Sequence, residues 1–157
     1  PQSRTETGAR KVKLVRICED LMALYNSLVV CRFVFYPAGV SIKTFMGISR
    51  SVTGWDASPM ELLQVGERSF NLTRAFNARE GFTRKDDSLP RRLMEPLPEG
   101  PLRGEAYPPE VLQDMLDLYY DYRGWDRDRG WPKREKLREL GLEWISEDLS
   151  RKGLISG

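Results

Sequence analysis

The first long segment constrains the fold more than any other part of the chain. Between residues 11 and 35, Leu14, Ile17, Leu21, Leu24, Leu28 and Cys31 recur at spacings of three and four. On a helix of 3.6 residues per turn those spacings make one apolar stripe. Val15, Cys18, Met22, Tyr25 and Val29 widen it, leaving Arg16, Glu19, Ala23 and Ser27 on a narrow far side. A helix apolar over so much of its circumference predicts near-complete enclosure by neighbours. Pro37 and Gly39 are placed to end it.

The rest of the chain repeats the helical period. Residues 41–52 predict a short second helix with Ile42, Phe45 and Ile48 on one face. Ser58-Pro59-Met60-Glu61 is a strong start signal: a capping hydroxyl, Pro at the first helical position, and a Glu able to bond back. The helix it opens runs to about Glu80, with Leu62, Val65, Ser69, Leu72 and Phe76 on its expected inner face and Gly81 closing it. Gly66 and Ser69 near its middle would let a neighbouring helix come close. Residues 82–107 carry Pro90, Pro96, Pro98, Gly100, Pro101 and Gly104, which predicts a long irregular excursion with one helical turn around 89–94. Pro108-Pro109-Glu110 opens another helix, with Val111, Met115, Leu118 and Tyr122 inward and Gly124 at its end. A charged loop follows from Trp125 to Trp131, then a helix from Pro132 to Leu140 stopped by Gly141, and a last helix over 143–149. No segment alternates in the manner of a strand. The expected fold is all-α, a multi-helix domain over 11–150 with a disordered or linker segment at 1–10 and a tail at 151–157.

Composition narrows the function classes. The chain has 157 residues, 40% hydrophobic and 31% charged, which suits a folded domain with a real core. Its net charge is only +2 and the basic residues are scattered, so no nucleic-acid partner is expected. The most apolar run, residues 21–36, is broken by Asn26, Ser27 and Arg32 and is short for a bilayer, so no membrane association is expected either. No secretory signal is visible, and a cytoplasmic location follows as the plain expectation. The polar opening through Gly8, with no starting Met, reads as a piece of a longer polypeptide. There is no His at all, which removes the commonest acid–base group and metal ligand. Phosphate-binding and dinucleotide-binding glycine motifs are missing, as is CxxC.

The two cysteines are the remaining chemistry. Cys18 and Cys31 stand thirteen positions apart; along one helix that is about 20 Å, beyond disulfide reach. Read from the residues alone, each is a small hydrophobe on an apolar face, expected to be buried. An iron–sulfur cluster wants several thiolates, and this chain supplies two at most.

Two stretches change that reading. The first runs from Glu19-Asp20-Leu21 through Tyr25-Asn26-Ser27-Leu28-Val29-Val30-Cys31-Arg32-Phe33. The second includes Val52-Thr53-Gly54-Trp55-Asp56, Gly66-Glu67-Arg68, Asn71-Leu72 and the unbroken run from Phe76 to Asp87. Leu118-Tyr119-Tyr120, Arg123-Gly124-Trp125-Asp126 and Gly130-Trp131-Pro132 continue the pattern. Together they resemble the C-terminal region of the tungsten-containing aldehyde:ferredoxin oxidoreductases. The resemblance implies that Cys31 is the last ligand of a 4Fe-4S cluster whose other three cysteines lie upstream. It also implies that Asn26 and Val30 stand where the family's D-x-x-G-L-C segment meets one of two pterins that hold tungsten. Asn26 takes the aspartate position, and Val29 and Val30 replace Gly and Leu. A neutral amide oxygen accepts less strongly than a carboxylate, and Val stiffens a backbone that Gly leaves free.

The whole enzyme, on this resemblance, oxidises an aldehyde to a carboxylic acid and passes electrons through the cluster to ferredoxin. The chain's partners would be the N-terminal domains of the same polypeptide, and the resemblance also allows a homodimer. Alone, the chain is expected to bind neither cluster nor tungsten-pterin and to be inactive. Cys18 has no matching role. Asn77, Arg79 and Glu80 form a polar group at a helix end that suits either a site or an ion-pair and cap network. Tyr119, Tyr120, Tyr122 and Trp125 read as packing. The rival to the redox reading is a helical protein-interaction domain that docks a partner through its Pro-rich loop.

Overall fold

The computed structural model describes residues 6–34 and 41–155. Among them are six α-helices: α1 (Ala9–Ser27), α2 (Ile42–Thr53), α3 (Pro59–Arg79), α4 (Pro109–Arg123), α5 (Arg134–Glu139) and α6 (Glu143–Arg151). The only extended pairing among the described residues is an isolated bridge between Trp125 and Pro132. The all-α expectation holds. Pro37 and Gly39 lie outside the described residues.

α3 is the axis of the molecule, and its start follows from four residues. The Ser58 hydroxyl accepts from the Glu61 amide at 3.2 Å and the Glu61 carboxylate accepts from the Ser58 amide at 2.8 Å. With Pro59 in the first turn, two orphan amides are satisfied and one is removed. The bond from the Ser58 amide holds the Glu61 carboxyl below its ordinary pKa. At the other end Gly81 takes the left-handed conformation, as expected from its place past the last turn.

α3 passes through two apolar clusters separated by a polar band. Near its start Leu62 packs with Leu24, Tyr25, Phe45 and Ala57, which ties α1 and α2 to it. Near its end Ala75 packs with Leu137, Leu140, Leu142, Ile145 and Leu149 of the C-terminal helices. Between them lie Gly66, Glu67 and Asn71, all buried. The expected inner face is therefore only half right: Leu62 is buried, but Leu72 and Phe76 are exposed. Hydrogen bonds decide this. The Asn71 amide donates to the Glu67 carbonyl at 2.9 Å and its oxygen accepts from the Trp125 indole at 2.7 Å. Those partners turn the polar side of the helix inward and rotate Leu72 and Phe76 out.

α4 departs in the same way. Val111, Met115, Leu118 and Tyr122 are half-buried, whereas Tyr120 and Arg123 are fully enclosed. The excursion over 82–107 contains two short 3-10 turns, Arg84–Asp86 and Arg91–Leu93. It is anchored, not loose. Arg84 pairs with Asp117 and donates to the Arg127 carbonyl at 2.8 Å, while Asp87 takes both guanidinium nitrogens of Arg74 at 2.8 and 2.5 Å. Tyr120 donates to the same Asp87 at 2.5 Å. Leu97 and the Glu105–Gly104 backbone close a smaller loop through two bonds of 2.9 Å.

Candidate functional site

α1 ends earlier than its apolar period suggests. The helix stops at Ser27, and the next three residues form a Schellman turn. The Val29 amide donates to the Asn26 carbonyl at 3.0 Å and the Val30 amide to the Tyr25 carbonyl at 3.1 Å. Val29 sits at φ 55, the one non-glycine left-handed residue among those described. Its side chain is 92% exposed, so no packing there offsets the strain. Val30 instead packs on the Leu24–Tyr25–Phe45 cluster, the apolar contact that such turns usually bring. Cys31 follows on an exposed stretch, and its carbonyl accepts from the Val34 amide at 3.0 Å.

The turn sets Val30 and Cys31 just beyond the last turn of α1, which carries Asn26. Asn26 and Cys31 are exposed; Val30 is half-buried. The Cys31 thiol is open to a ligand, and no group of three or more metal-binding side chains exists among the described residues. The donor set fits one thiolate of a cluster completed by residues elsewhere, and does not fit a cluster held by this chain alone.

Cys18 requires a correction. It is exposed, not buried, because α1 is rotated relative to its expected orientation. Arg16, Glu19 and Asp20 turn inward, and Leu14, Ile17 and Leu28 face out. The cause is Arg123, fully buried on α4. It pairs with Asp20, donates to Glu19 at 2.8 Å and to the Arg16 carbonyl at 3.2 Å, and reaches the Tyr119 hydroxyl at 3.1 Å. Tyr119 donates in turn to Glu19 at 2.6 Å. Arg16 and Lys136 meet on Glu67 at 3.1 and 3.3 Å. A guanidinium so deep must have acceptors around it, and α1 supplies them. Burial raises the carboxyl of Asp20 above its ordinary pKa, with the Arg123 bond pulling the other way. Burial likewise raises the Tyr119 phenol well above its usual value. Glu19 and Tyr119 reach the edge of an open groove, but both are committed to each other and to Arg123, so the network reads as structure.

Asn77, Arg79 and Glu80 lie at the other end of the antiparallel α1–α3 pair, roughly 25 Å of helix from Leu62. The Asn77 carbonyl caps the helix end, accepting from Glu80 at 3.1 Å and Phe82 at 3.0 Å. Arg79 pairs with Glu80 at 3.1 Å and lies over the Phe76 ring. They do not join the Cys31 turn. The Asn77 side chain borders an open groove of about 510 Å³ walled by Val12, Phe70, Met115, Tyr119 and Trp125, which was not legible because its walls come from three helices. Tyr120 and Trp125 are buried and pack, as expected.

Such an arrangement defines a helical module without a group of three metal-binding side chains among its described residues. The comparisons give that class a family. A model described as "Aldehyde ferredoxin oxidoreductase, domains 2 & 3" matches residues 1–142, and the chain belongs to this family. It is 41% identical over 135 residues to a tungsten-containing aldehyde ferredoxin oxidoreductase of Pyrococcus abyssi, and 38% identical over 134 residues to that of Pyrococcus furiosus. The alignments cover 85% and 84% of this chain but 21% of each relative. The WOR-like subunit of an aliphatic sulfonate oxidoreductase from Pyrococcus furiosus is 34% identical over 139 residues. Among solved structures, the active-site complex BamBC of benzoyl coenzyme A reductase, with 1,5-dienoyl-CoA, superposes with a TM-score of 0.79. That match covers 99% of this chain and 23% of the other at 23% identity, and shows the fold alone. No described helix is long and apolar enough to cross a membrane.

Proposed function

We propose that this chain is the C-terminal portion of a tungsten-dependent oxidoreductase that converts aldehydes to carboxylic acids. Its task is to contribute one cluster thiolate and part of a pterin wall. The observation that supports this best is the Schellman turn, which leaves the Cys31 thiol exposed just past the end of α1. When bound, the tungsten-pterin centre would supply the two-electron oxidation, and the 4Fe-4S cluster the path to ferredoxin.

Within that reading each residue has a limited part. Cys31 gives a thiolate ligand and serves electron transfer, with no bond-breaking role. Asn26, exposed one turn earlier, offers an amide oxygen to a pterin amino group, a weaker acceptor than a carboxylate. Val30 fixes the turn against Tyr25 and sets the pterin-facing backbone. The remaining three cysteines, the aldehyde pocket and the ferredoxin contact belong to the upstream domains, so the chain alone is inactive. A cytoplasmic location and a homodimer are part of the same proposal.

The test is metal analysis and visible absorption of the full-length polypeptide, expressed anaerobically. Iron, tungsten and cluster absorbance are expected in the parent, and Cys31→Ala should lose the cluster absorbance and the ferredoxin-coupled activity. The 157-residue chain should hold neither metal. A Cys31→Ala enzyme with an intact cluster would overturn the assignment.

A further inference from the structure

Two neighbouring valines leave the end of α1 in opposite directions. Val30 packs inward on the Leu24–Tyr25–Phe45 cluster. Val29 is 92% exposed and holds the left-handed conformation at φ 55, an outlier for a β-branched residue. Among the described residues nothing packs on Val29 to offset that strain. Strained residues gather where a ligand or a reaction uses them.

Two positions beyond Val29 stands the exposed Cys31 thiol, and two beyond that Phe33, 75% exposed. Leu28 and Val34 are exposed as well. The thiol therefore lies between two large apolar side chains that bury little in their own domain. The nearest hydroxyl is committed elsewhere: Ser27 donates back to the Ala23 carbonyl at 2.8 Å. Of the described side chains from Ser27 to Val34, none but the thiol offers a free hydrogen-bonding group.

We infer that Val29 and Phe33 are an apolar cover on either side of the Cys31 ligand, which keeps water from the 4Fe-4S cluster and so holds its reduction potential down. This rests on the reading of Cys31 as a cluster ligand. A thiolate-bound cluster gains a negative charge on reduction, and where water is excluded the more highly charged form is the more penalised. Solvent exposure and hydrogen bonds to the sulfurs are the two means by which nearby residues set such a potential. This stretch supplies bulk without hydrogen bonds, and both choices favour the oxidised form.

The test is a redox titration of the full-length polypeptide, prepared anaerobically and followed by the paramagnetic signal of its reduced cluster. Val29→Thr keeps the shape and the branch and adds only a hydroxyl; Phe33→Ser opens the other side. At the parent's midpoint each should raise the reduced-to-oxidised ratio on the order of tenfold. Val29→Ile and Phe33→Leu, which stay apolar, should titrate with the parent. A role confined to folding would not sort the four variants by polarity. If Val29→Thr and Phe33→Ser titrate with the parent while iron content and absorbance are intact, the cover fails and the ligand role of Cys31 stands. A lower potential in the polar variants, or equal shifts in all four, overturns the inference as well. A parent polypeptide without cluster absorbance overturns the ligand reading and the cover with it.

Discussion

Gly66 of α3 lies against the backbone of Asp20 on α1: a Cβ at that position would stand 1.9 Å from the Asp20 carbonyl oxygen. The obstacle is main chain on both sides, so no side-chain rotation relieves it. Ala is a better helix former than Gly by up to about 1 kcal/mol, but forcing two packed helices apart costs typically about 1–3 kcal/mol and more when backbone must shift. The clash wins. Gly66→Ala should lower the denaturation midpoint by the equivalent of roughly 1–2 kcal/mol. A variant as stable as the parent would show that the helices do not approach this closely.

Arg123 offers a second prediction, larger and opposite in character. Its guanidinium is fully enclosed, with Asp20, Glu19 and Tyr119 arranged around it. Replacing it with Met fills similar space but leaves two carboxylates facing a vacated charge. Breaking one partner out of a buried ion pair costs about 3–5 kcal/mol, whereas neutralising both sides together costs far less. Arg123→Met should therefore melt well below the parent, and Arg123→Met with Asp20→Leu should recover part of the loss. If the double variant is worse than the single one, the pair is not the source of the effect.

What could be seen in advance depended on how local the cause was. The Ser58 cap, the Gly81 and Gly124 stops and the close approach at Gly66 each follow from a few adjacent residues, and the structure has all of them. The orientation of α1 did not, because the partner that turns it lies 103 positions away from Asp20. A helix apolar nearly all round has no preferred side until a buried Arg123 claims its carboxylates. The same long-range bond exposes Cys18 and draws Arg123 of α4 inward, while the bond between Asn71 and Trp125 turns the polar side of α3 inward. Of the candidate site, Asn26, Val30 and Cys31 came only from the resemblance, since nothing in their spacing marks them; the left-handed Val29 was not legible at all, since Val is among the last residues expected there.

The Ser58–Glu61 box gives a prediction with a pH signature. Ser58→Ala should cost on the order of 1 kcal/mol at neutral pH, the usual worth of such a cap. Glu61 has a depressed carboxyl pKa because it accepts from the Ser58 amide. A depressed folded-state pKa means stability that is present above the unfolded value and lost as pH falls through the folded one. The gap in melting temperature between parent and Glu61→Ala should hold steady at neutral pH and close once pH drops below the ordinary glutamate range, about 4. A gap that widens in acid would contradict the assigned bond.

Val29 carries the last prediction, because strain and function meet there. It stands at φ 55 as the left-handed residue of the α1 stop, where the resembled motif has Gly. A left-handed conformation costs an L residue roughly 1–2 kcal/mol, and a β-branched side chain adds crowding. Glycine removes that cost but gains freedom in the unfolded chain, worth about 0.5–1 kcal/mol against it. With the side chain 92% exposed, almost no buried area is given up. The balance favours glycine: Val29→Gly should raise the denaturation midpoint of the 157-residue chain by the equivalent of about 0.5–1 kcal/mol, with an unchanged slope. Val29→Ala should fall short of it, since Ala keeps the left-handed cost while losing the branch. If Val29→Gly is less stable than the parent, the turn that presents Cys31 is not left-handed at this residue, and its presentation of the thiol must be drawn differently.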